Sequence, residues 1–345
     1  MKVPISWLKD FVDITIPLPE LIHRLTMAGL EVEEVLYVGL PMAHSQAGQG
    51  TRVSGLSWEA DKIVVGAVLE VMPHPNADRL VLCKLDDGSG IQIVLTGAPN
   101  LLPFKGSGPL PKPIKVAYAR EGAKIYDGHQ PRQVLMTLKR AKIRGGESYS
   151  MACSEKELGI SDDHEGIIFL DDDAPVGMPL ADYMGDAVLE INLTPNVARD
   201  ANMLGVAREI AALTGQKLRL PEGFYDYPTA GPAIKGQAAI QITNPALNPR
   251  FVVGLIEGIT IGESPYWMQR RLKLAGMRPI SNIVDVTNYV MLEVGEPLHA
   301  FDYTVLVERA EGSIPTIITR TATSGEELTT LDGVDRPLDE FTVLV

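Results

Sequence analysis

The sequence predicts an α+β protein of several domains: a split N-terminal α+β domain, a five-stranded β-barrel inserted into it, and an α/β domain that is incomplete on its C-terminal side. Three observations lead to this prediction. The length of 345 residues is too great for one ordinary core. Short β-rich runs separated by turns occupy residues 62–153, between two segments with helical patterns. Residues 341–345 resemble a core strand that stops without a turn or a cap.

The first part of the split domain is predicted from residues 1–38. Residues 3–7 are strand-like, and a short helix follows, because the apolar Leu21 and Leu25 lie four residues apart. Gly29 comes directly after this pattern, and glycine is the usual residue at the end of a helix. We therefore expect a strand and one core helix here.

The second part of the split domain follows the barrel. Residues 189–215 predict a strand, a loop and a helix, with Asp200 as the N-cap and Gly215 as the stop. This unit is too small to stand alone. We expect it to pack with the first part, so that residues 1–40 and 155–218 form one domain around the inserted barrel.

Residues 41–154 are predicted to form the inserted domain. It opens with residues 43–61, whose polar, Gly- and Ser-rich composition is typical of a flexible insertion or linker. Five β-rich runs follow, and five strands is the number found in an OB-fold. The Pro- and Gly-rich residues 106–113 predict a loop in this barrel, because proline cannot donate to a ladder.

The third predicted domain, residues 219–345, begins with a Pro- and Gly-rich stretch. Residues 238–242 and 250–259 predict strands. One helix is expected to start at Ser264, followed by proline at its first position, and a second at Asn282.

Composition excludes several classes of protein. Two cysteines cannot supply a disulfide framework or a Cys-rich metal site, which fits a reducing compartment. No apolar run is long enough to span a bilayer, and the N-terminus lacks the uninterrupted apolar run of a signal peptide. We expect a cytoplasmic protein with no membrane partner and no metal site.

Charge is distributed unevenly along the chain. The formal net charge is −13, which argues against a protein that coats nucleic acid indiscriminately. Residues 101–150, however, hold ten basic and three acidic side chains, a charge of +7 against −20 for the rest. This stretch indicates either a specific polyanion partner at one face or the solvated surface of a β-domain, and charge alone leaves both open.

Residues 276–302 (GMRPISNIVDVTNYVMLEVGEPLHAFD) carry many uncharged polar groups on an apolar framework. Buried Asn, Thr and His side chains need hydrogen-bond partners, or else they serve a ligand. The segment is therefore either a structural polar network or a small polar pocket.

Three barrel motifs together resemble the tRNA-binding OB domain of the EMAP type: HPNADRL (74–80), TGAPN (96–100) and GGESYSMACSEKELG (145–159). Such barrels bind single-stranded RNA through a basic groove and stacking platforms, for which Tyr118 and Tyr126 are candidates. The candidate tRNA-binding residues are Lys115, Arg120, Lys139, Lys142 and Arg144.

The whole chain resembles the β-subunit family of bacterial phenylalanyl-tRNA synthetases. MKVPISWLKDFV, the barrel, LTPNVARDANMLGVAREIAALTG and residues 276–302 occur in the order found in that family. The resemblance implies that residues 219–345 form an editing domain, which hydrolyses tyrosine mistakenly attached to tRNA(Phe). It also implies that this domain continues beyond Val345. One departure is the run from Val197 to Asp200, where the family usually has Arg-Pro-Asp.

The same resemblance places three candidate catalytic residues, Thr287, Asn288 and His299, around the editing pocket. Pro297 and Leu298 would form its wall. An apolar synthetic site rejects an added hydroxyl poorly, so a second site that recognises the tyrosine hydroxyl is chemically reasonable. The three polar side chains could hold the attacking water, with His299 accepting a proton. The alternative is that Asn288 and His299 only join a helix to the loop after it.

The family further implies an α subunit as partner in an α2β2 ligase that charges tRNA(Phe), with ATP and Mg²⁺ used by the whole ligase. Neither cofactor is expected within this chain, because the family places the aminoacylation site in α. Two other functions remain open: a free-standing EMAP-type tRNA-binding protein, and a stand-alone hydrolase of mischarged tRNA. The match at residues 276–302 disfavours the first, and the flanking N-terminal domain and barrel disfavour the second.

Overall fold

A computed structural model of the chain describes residues 1–42, 50–143, 146–221, 223 and 234–345. The chain forms two compact units. The first consists of Met1–Glu222 and Gly262–Leu298, and the second of Gly223–Ile261 and His299–Val345. Each unit is therefore built from two separate stretches of sequence.

The first unit contains β1 to β13 and α1 to α6. Its strands are β1 (Lys2–Pro4), β2 (Glu31–Gly39), β3 (Arg52–Ser57), β4 (Ile63–Pro73), β5 (Val81–Asp86), β6 (Ile91–Thr96), β7 (Pro109–Ala119), β8 (Lys124–Tyr126), β9 (Leu135–Thr137), β10 (Ala141–Ile143), β11 (Gly146–Ser148), β12 (Met151–Ala152) and β13 (Asp186–Asn192). Its helices are α1 (Ile5–Leu8), α2 (Leu18–Met27), α3 (Leu180–Met184), α4 (Met203–Thr214), α5 (Tyr266–Leu274) and α6 (Asn282–Val294), with 3₁₀ turns at Pro99–Phe104 and Pro195–Asp200.

A four-stranded sheet in the order β1-β13-β2-β3 organises the N-terminal part of this unit. Strand β13 pairs antiparallel with both β1 and β2, so residues on the two sides of the barrel sequence share one sheet. Buried side chains of α2, α4 and the sheet form one core, in which Leu21, Leu189 and Ile210 are fully buried. The core thus joins the first 40 residues to the segment that follows the barrel.

Helices α2 and α4 lie where the sequence predicts helices, but the start of α4 differs. Asn202 is its N-cap, and the side-chain oxygen of Asn202 accepts a hydrogen bond of 2.7 Å from the amide of Gly205. The predicted N-cap, Asp200, instead ends the preceding 3₁₀ turn and is buried. The prediction was wrong because Asn202 is the residue whose side chain reaches the open amides of the first turn.

Five antiparallel strands in the order β12-β7-β4-β5-β6 form a nearly closed barrel. The two strands at the ends of this order, β12 and β6, come close to each other. Alternate residues of β5 are buried, so that Val81, Cys83 and Leu85 point into the barrel. A separate hydrophobic core fills this interior. Two small antiparallel pairs, β8-β9 and β10-β11, are attached to it.

Two predictions about the surroundings of the barrel were wrong. Residues 106–113 are only partly a loop, because β7 begins at Pro109 and Pro109 lies opposite Glu70 at an irregularity of the β4-β7 ladder. Proline is tolerated at the first residue of a strand. The stretch 43–61 contains β3, which pairs parallel with β2. Residues 43–49 of that predicted linker lie outside the described part of the chain.

The second unit contains β14 (Ala239–Ile242), α7 (Tyr303–Arg309), β15 (Thr316–Thr321), β16 (Glu327–Thr329), β17 (Asp335–Pro337) and β18 (Val343–Leu344). Strand β15 pairs parallel with β14 and antiparallel with β18. The predicted strand at residues 250–259 is absent, and these residues pair with no described strand. Strand propensity alone does not form a ladder without a neighbouring strand. In neither unit is any described helix long and apolar enough to cross a membrane.

Candidate functional site

The polar residues at the start of α6 form a structural network. The backbone amide of Gly262 donates to Oδ1 of Asn282, and the amide of Asn282 donates to the carbonyl of Gly262. The carboxylate of Asp285, which is 1% exposed, accepts hydrogen bonds from Ser264 Oγ at 2.5 Å and from the Ile280 amide at 2.7 Å. Some of the polar side chains of residues 276–302 therefore hold α6 to the segment before α5.

Thr287 and Asn288 lie in the middle of α6 and are half-buried. The hydroxyl of Thr287 donates to the carbonyl of Val284 at 2.7 Å, which leaves oxygen lone pairs able to accept a hydrogen bond. Consecutive helical residues differ in direction by about 100° and do not face each other. The two side chains are thus neighbours along the helix that point in different directions.

The other predicted pocket residues follow the end of α6, where Gly295 adopts a left-handed conformation with φ 83°. Pro297 and Leu298 are exposed and belong to the first unit. His299 is exposed and belongs to the second unit. Within the second unit its ring meets that of Phe301 edge-on, with 4.5 Å between the ring centroids.

The opposite side of α6 is bound by aromatic and charged side chains that the sequence did not single out. The ring of Tyr289 stacks on Trp7, with centroids 4.4 Å apart and planes inclined by 26°. Nη1 of Arg271 donates to the Tyr289 hydroxyl at 2.7 Å and is paired with Asp10 Oδ2, also at 2.7 Å. Burial raises the pKa of Tyr289 to about 12, against the opposing effect of the Arg271 charge. The spacing of Asp285, Tyr289 and Leu292 could have indicated this buried face.

Helix α5 carries two further cations with acidic partners. Nη2 of Arg270 lies 3.7 Å from Oδ2 of the buried Asp186 in β13. Nζ of Lys273 lies 2.8 Å from Oε2 of Glu155 and 3.4 Å from Oδ2 of Asp163, both in the loop after the barrel. Through these pairs α5 is fixed to the four-stranded sheet and to the end of the barrel.

In the barrel, the predicted tRNA-binding residue Arg120 has internal partners. Nε donates to Asp87 Oδ2 at 2.8 Å, Nη2 to the Asp87 carbonyl at 2.8 Å, and Nη1 to the Asp61 carbonyl at 2.7 Å. Burial alone would raise the pKa of Asp87, but hydrogen bonds from Ser89 and Arg120 and the Arg120 charge outweigh it and lower that pKa. Arg120 is thus a structural cross-link of the barrel.

The remaining basic candidates differ in position. Lys139 is exposed, and it has no ion pair among the residues that the structure describes. Lys115 is half-buried in β7, where its carbonyl accepts a hydrogen bond from Leu170. Lys142 lies in β10, whose side chains are not described, and Arg144 lies outside the described residues.

The predicted stacking platforms are inside the protein. Tyr118 is 1% exposed in the barrel core, so its prediction was wrong. Tyr126 is half-buried, and its hydroxyl donates to the Gly55 carbonyl at 3.3 Å. Sequence alternation did not reveal which face of each strand points inward. Near the barrel, the ring of Tyr149 meets a cation, with the Arg140 guanidinium 5.0 Å from its centroid.

The described part of the chain holds no group of three or more His, Cys, Asp or Glu side chains that could hold a metal ion.

Two family models match the chain. Residues 247–345 match the family described as "B3/4 domain", and residues 63–106 match the one described as "Putative tRNA binding domain". Curated relatives match over nearly the whole chain. The phenylalanine–tRNA ligase beta subunit of Dehalococcoides mccartyi (strain CBDB1) is 44% identical over 100% of this chain and 38% of its own length.

The beta subunits of two other organisms match this chain with similar identity and coverage. The beta subunit of Moorella thermoacetica is 44% identical over 100% of this chain and 39% of its own length. That of Geobacter sulfurreducens is 43% identical over 98% of this chain and 37% of its own length. The chain belongs to the phenylalanine–tRNA ligase beta-subunit family. It spans between a third and two fifths of the length of the curated relatives that it matches.

The two family models divide the candidate residues. The tRNA-binding match covers β4 to β6 and ends before Lys115, so every predicted tRNA contact follows it in the sequence. The B3/4 match includes Thr287, Asn288 and His299, and it also includes Arg271 and Tyr289. The B3/4 match therefore contains the three candidate catalytic residues and also side chains that bind the opposite side of α6.

Proposed function

We propose that this chain is the tRNA-binding and proofreading part of a phenylalanine–tRNA ligase beta subunit. Its reaction would be the hydrolysis of tyrosine from mischarged tRNA(Phe). The observation that carries the proposal is the 44% identity to such subunits over the whole chain, together with the B3/4 match at residues 247–345. The barrel and the residues after it supply the two components that such a reaction needs, a nucleic-acid surface and polar groups.

The ester that joins an amino acid to ribose is already labile, so positioning a water molecule accounts for much of the required acceleration. We assign this role to Thr287, whose hydroxyl oxygen retains lone pairs, and to the half-buried amide of Asn288. His299 would accept the proton of the attacking water as its oxygen forms a bond to the carbonyl carbon. The bond between that carbon and the ribose oxygen would then break, and the ribose oxygen would take the proton from His299 and leave as a hydroxyl group. Pro297 and Leu298 would contact the amino-acid ring.

We assign tRNA binding to the barrel, as an OB-fold of the EMAP type, with residues 41–154 acting as a domain inserted between residues 1–40 and 155–218, and residues 219–345 as the editing domain. Exposed Lys139 leads the proposed contacts, joined by Lys115, Lys142 and Arg144. Arg120 contributes its positive charge, since its donors are engaged within the barrel. Charge at this face would attract the tRNA backbone.

We further propose that the whole enzyme is an α2β2 ligase in the cytoplasm. There the α subunit would charge tRNA(Phe) with phenylalanine, using ATP and Mg²⁺. The selectivity problem explains why a separate hydrolytic site is useful. Phenylalanine and tyrosine differ by one hydroxyl, and an apolar pocket discriminates against an added hydroxyl by only about 10²-fold.

The test uses the full-length beta subunit in complex with its α partner and measures the release of tyrosine from Tyr-tRNA(Phe). We expect His299→Ala to lower the deacylation rate by about 10²-fold, the usual size of a general-base contribution. His23→Ala is the matched control, since His23 is an exposed histidine on α2. Unchanged hydrolysis by His299→Ala would remove its proposed role. A wild-type complex that leaves Tyr-tRNA(Phe) intact would refute the proofreading function.

A further inference from the structure

One face of α6 is anchored to the N-terminal segment of the chain, residues 1–13. Asp285, Tyr289 and Leu292 are spaced four and three residues apart, which places them on the same side of the helix. Asp285 is buried, and Tyr289 and Leu292 pack against the core of the four-stranded sheet. The anchored face of α6 therefore points toward residues near the start of the chain.

Tyr289 makes the most specific of these contacts. It stacks on the buried Trp7 at 4.4 Å between centroids, and it meets Trp267 edge-on at 5.7 Å. Its hydroxyl accepts the hydrogen bond from Arg271. A side chain held by two rings and a hydrogen bond has little freedom to rotate, so it fixes the rotation of α6 about its own axis.

Arg271 is the centre of this arrangement. Its guanidinium lies 5.5 Å from the ring centroid of Trp7 and 5.8 Å from that of Trp267. It is also paired with Asp10, and its side chain is 19% exposed. A planar cation can donate in its plane and stack with its faces at the same time, which a lysine cannot do. Arg271 thus links α5, α6 and the N-terminal segment.

Because α6 is a regular helix, fixing its rotation at Tyr289 also fixes the directions of Thr287 and Asn288. Thr287 precedes Tyr289 by two positions, so it points about 200° away around the helix axis, on the side opposite the anchored face. Asn288 points about 100° away from Tyr289. Any rotation of α6 at Tyr289 would therefore change the directions of Thr287 and Asn288 by the same angle.

We propose that Trp7, Arg271 and Tyr289 are positioning residues that set the rotation of α6 and so direct Thr287 and Asn288 toward the aminoacyl ester. This inference rests on the proposed proofreading function. Misplacement of a reacting group by about 1 Å can cost about 10²-fold in rate, so a small rotation is sufficient to slow hydrolysis. The N-terminal segment then acts on the reaction through α6 without touching the substrate.

The experiment compares variants of Arg271 in the full-length beta subunit bound to its α partner. Arg271→Met removes the guanidinium and keeps the apolar stem. We expect kcat for deacylation of Tyr-tRNA(Phe) to fall about tenfold, with KM changed less than about twofold. Amide hydrogen exchange in α6 should become faster. Arg271→Lys, which retains a positive charge for Asp10, should recover about a third of the wild-type kcat.

Arg219→Met is the matched control. Arg219 is also paired with the N-terminal segment, through Asp13 at 2.9 Å and the Asp10 carbonyl at 3.2 Å, and no contact joins it to α6 among the described residues. We expect it to leave both kcat and the exchange of α6 amides unchanged. A general loosening of the N-terminal segment would instead affect both variants alike.

Three results would overturn the inference: kcat of Arg271→Met within twofold of the wild type, an equal fall in Arg219→Met, or unchanged exchange in α6. If the wild-type complex fails to hydrolyse Tyr-tRNA(Phe), the proposed function fails first, and with it the role in hydrolysis. The exchange measurement then still reports whether Arg271 holds α6. The two failures are therefore distinguishable.

Discussion

Several ion pairs of the first unit connect residues that are distant in sequence. Arg120 and Asp87 are 33 residues apart, and their side chains are 28% and 4% exposed. Arg271 and Asp10 come from nearly opposite ends of the unit's sequence, with Arg271 19% exposed. Each pair joins separate elements, so these charges specify how those elements pack.

Among the described residues of the second unit, both ion pairs are local. Arg320 and Glu326 are six residues apart, and Arg336 and Asp332 are four residues apart. The side chains of Arg336 and Asp332 are 55% and 54% exposed. Such pairs shape a single turn and contribute little to stability, because water screens both partners. Ion pairs therefore cross-link distant parts of the sequence in the first unit, whereas the described pairs of the second unit join residues no more than six positions apart.

The largest expected effect tests this difference directly. Arg120→Met should lower the free energy of unfolding by about 2 kcal/mol, because Asp87 would remain buried without its cation. Arg336→Met, in the second unit, should cost less than about 0.5 kcal/mol. Urea unfolding followed by far-UV circular dichroism measures both. Equal costs would show that burial and sequence separation do not distinguish the two classes of pair.

A second test asks whether the cations of the first unit also have an external role. Joint replacement of Lys139, Lys142 and Arg144 by Gln should weaken tRNA(Phe) binding about tenfold and reduce the slope of log K against log salt by about two. The control changes three arginines of the second unit to Gln: Arg309, Arg320 and Arg336. Filter binding at roughly 50 to 200 mM salt measures the slope for each triple variant. Identical losses in both triple variants would mean that net charge matters and position does not.

The smallest expected effect is the dependence of stability on pH, which has opposite directions at Glu157 in the first unit and at Glu326 in the second. Burial raises the pKa of Glu157, despite hydrogen bonds from Ser154, so its contribution to stability is full below about pH 4.5 and is lost as pH rises through the folded pKa. Hydrogen bonds from Arg320 and Thr323 lower the pKa of Glu326 to about 2, so its contribution is present above about pH 4.5 and is lost as pH falls toward 2.

Amide hydrogen exchange, corrected for intrinsic rates, measures this contrast in peptides around Glu157 and Glu326. We expect protection near Glu157 to fall as pH rises above about 4.5, and protection near Glu326 to fall as pH drops below it. Glu157→Gln and Glu326→Gln should each flatten the dependence only in their own unit. Parallel pH profiles for the two peptides would contradict the assigned directions.

Periodicity predicted the helices well, because it depends on neighbours along the chain. The helix predicted from Asn282 is α6, and Gly215 and Gly29 lie at helix ends with positive φ angles of 70° and 98°. Four of the five β-rich runs correspond to strands of the antiparallel barrel, although part of a segment predicted as a loop joined β7. The fifth run, which starts at Val134, instead contains β9 and β10, and the fifth barrel strand is β12. These features are encoded within windows of about ten residues.

The partners of the anchored face of α6 could not be predicted in the same way. The stacking of Trp7 on Tyr289 and the pairing of Asp10 with Arg271 join residues from nearly opposite ends of the first unit's sequence. No local pattern contains that information. Burial of Tyr118 likewise depends on the curvature of the closed barrel, which alternation along one strand does not encode. The roles of Thr287, Asn288 and His299 came from the family resemblance and stay predictions.

The discontinuous course of the chain has a consequence for how genes in this family can be cut and recombined. The B3/4 match at residues 247–345 encloses α5 and α6, whose contacts with Trp7 and Asp10 lie outside it. A gene segment encoding only the matched region, moved into another protein, would leave the Trp7-facing side of Tyr289 without its partner and Arg271 without its carboxylate. The structural module is therefore larger than the matched region, and it includes Trp7 and Asp10.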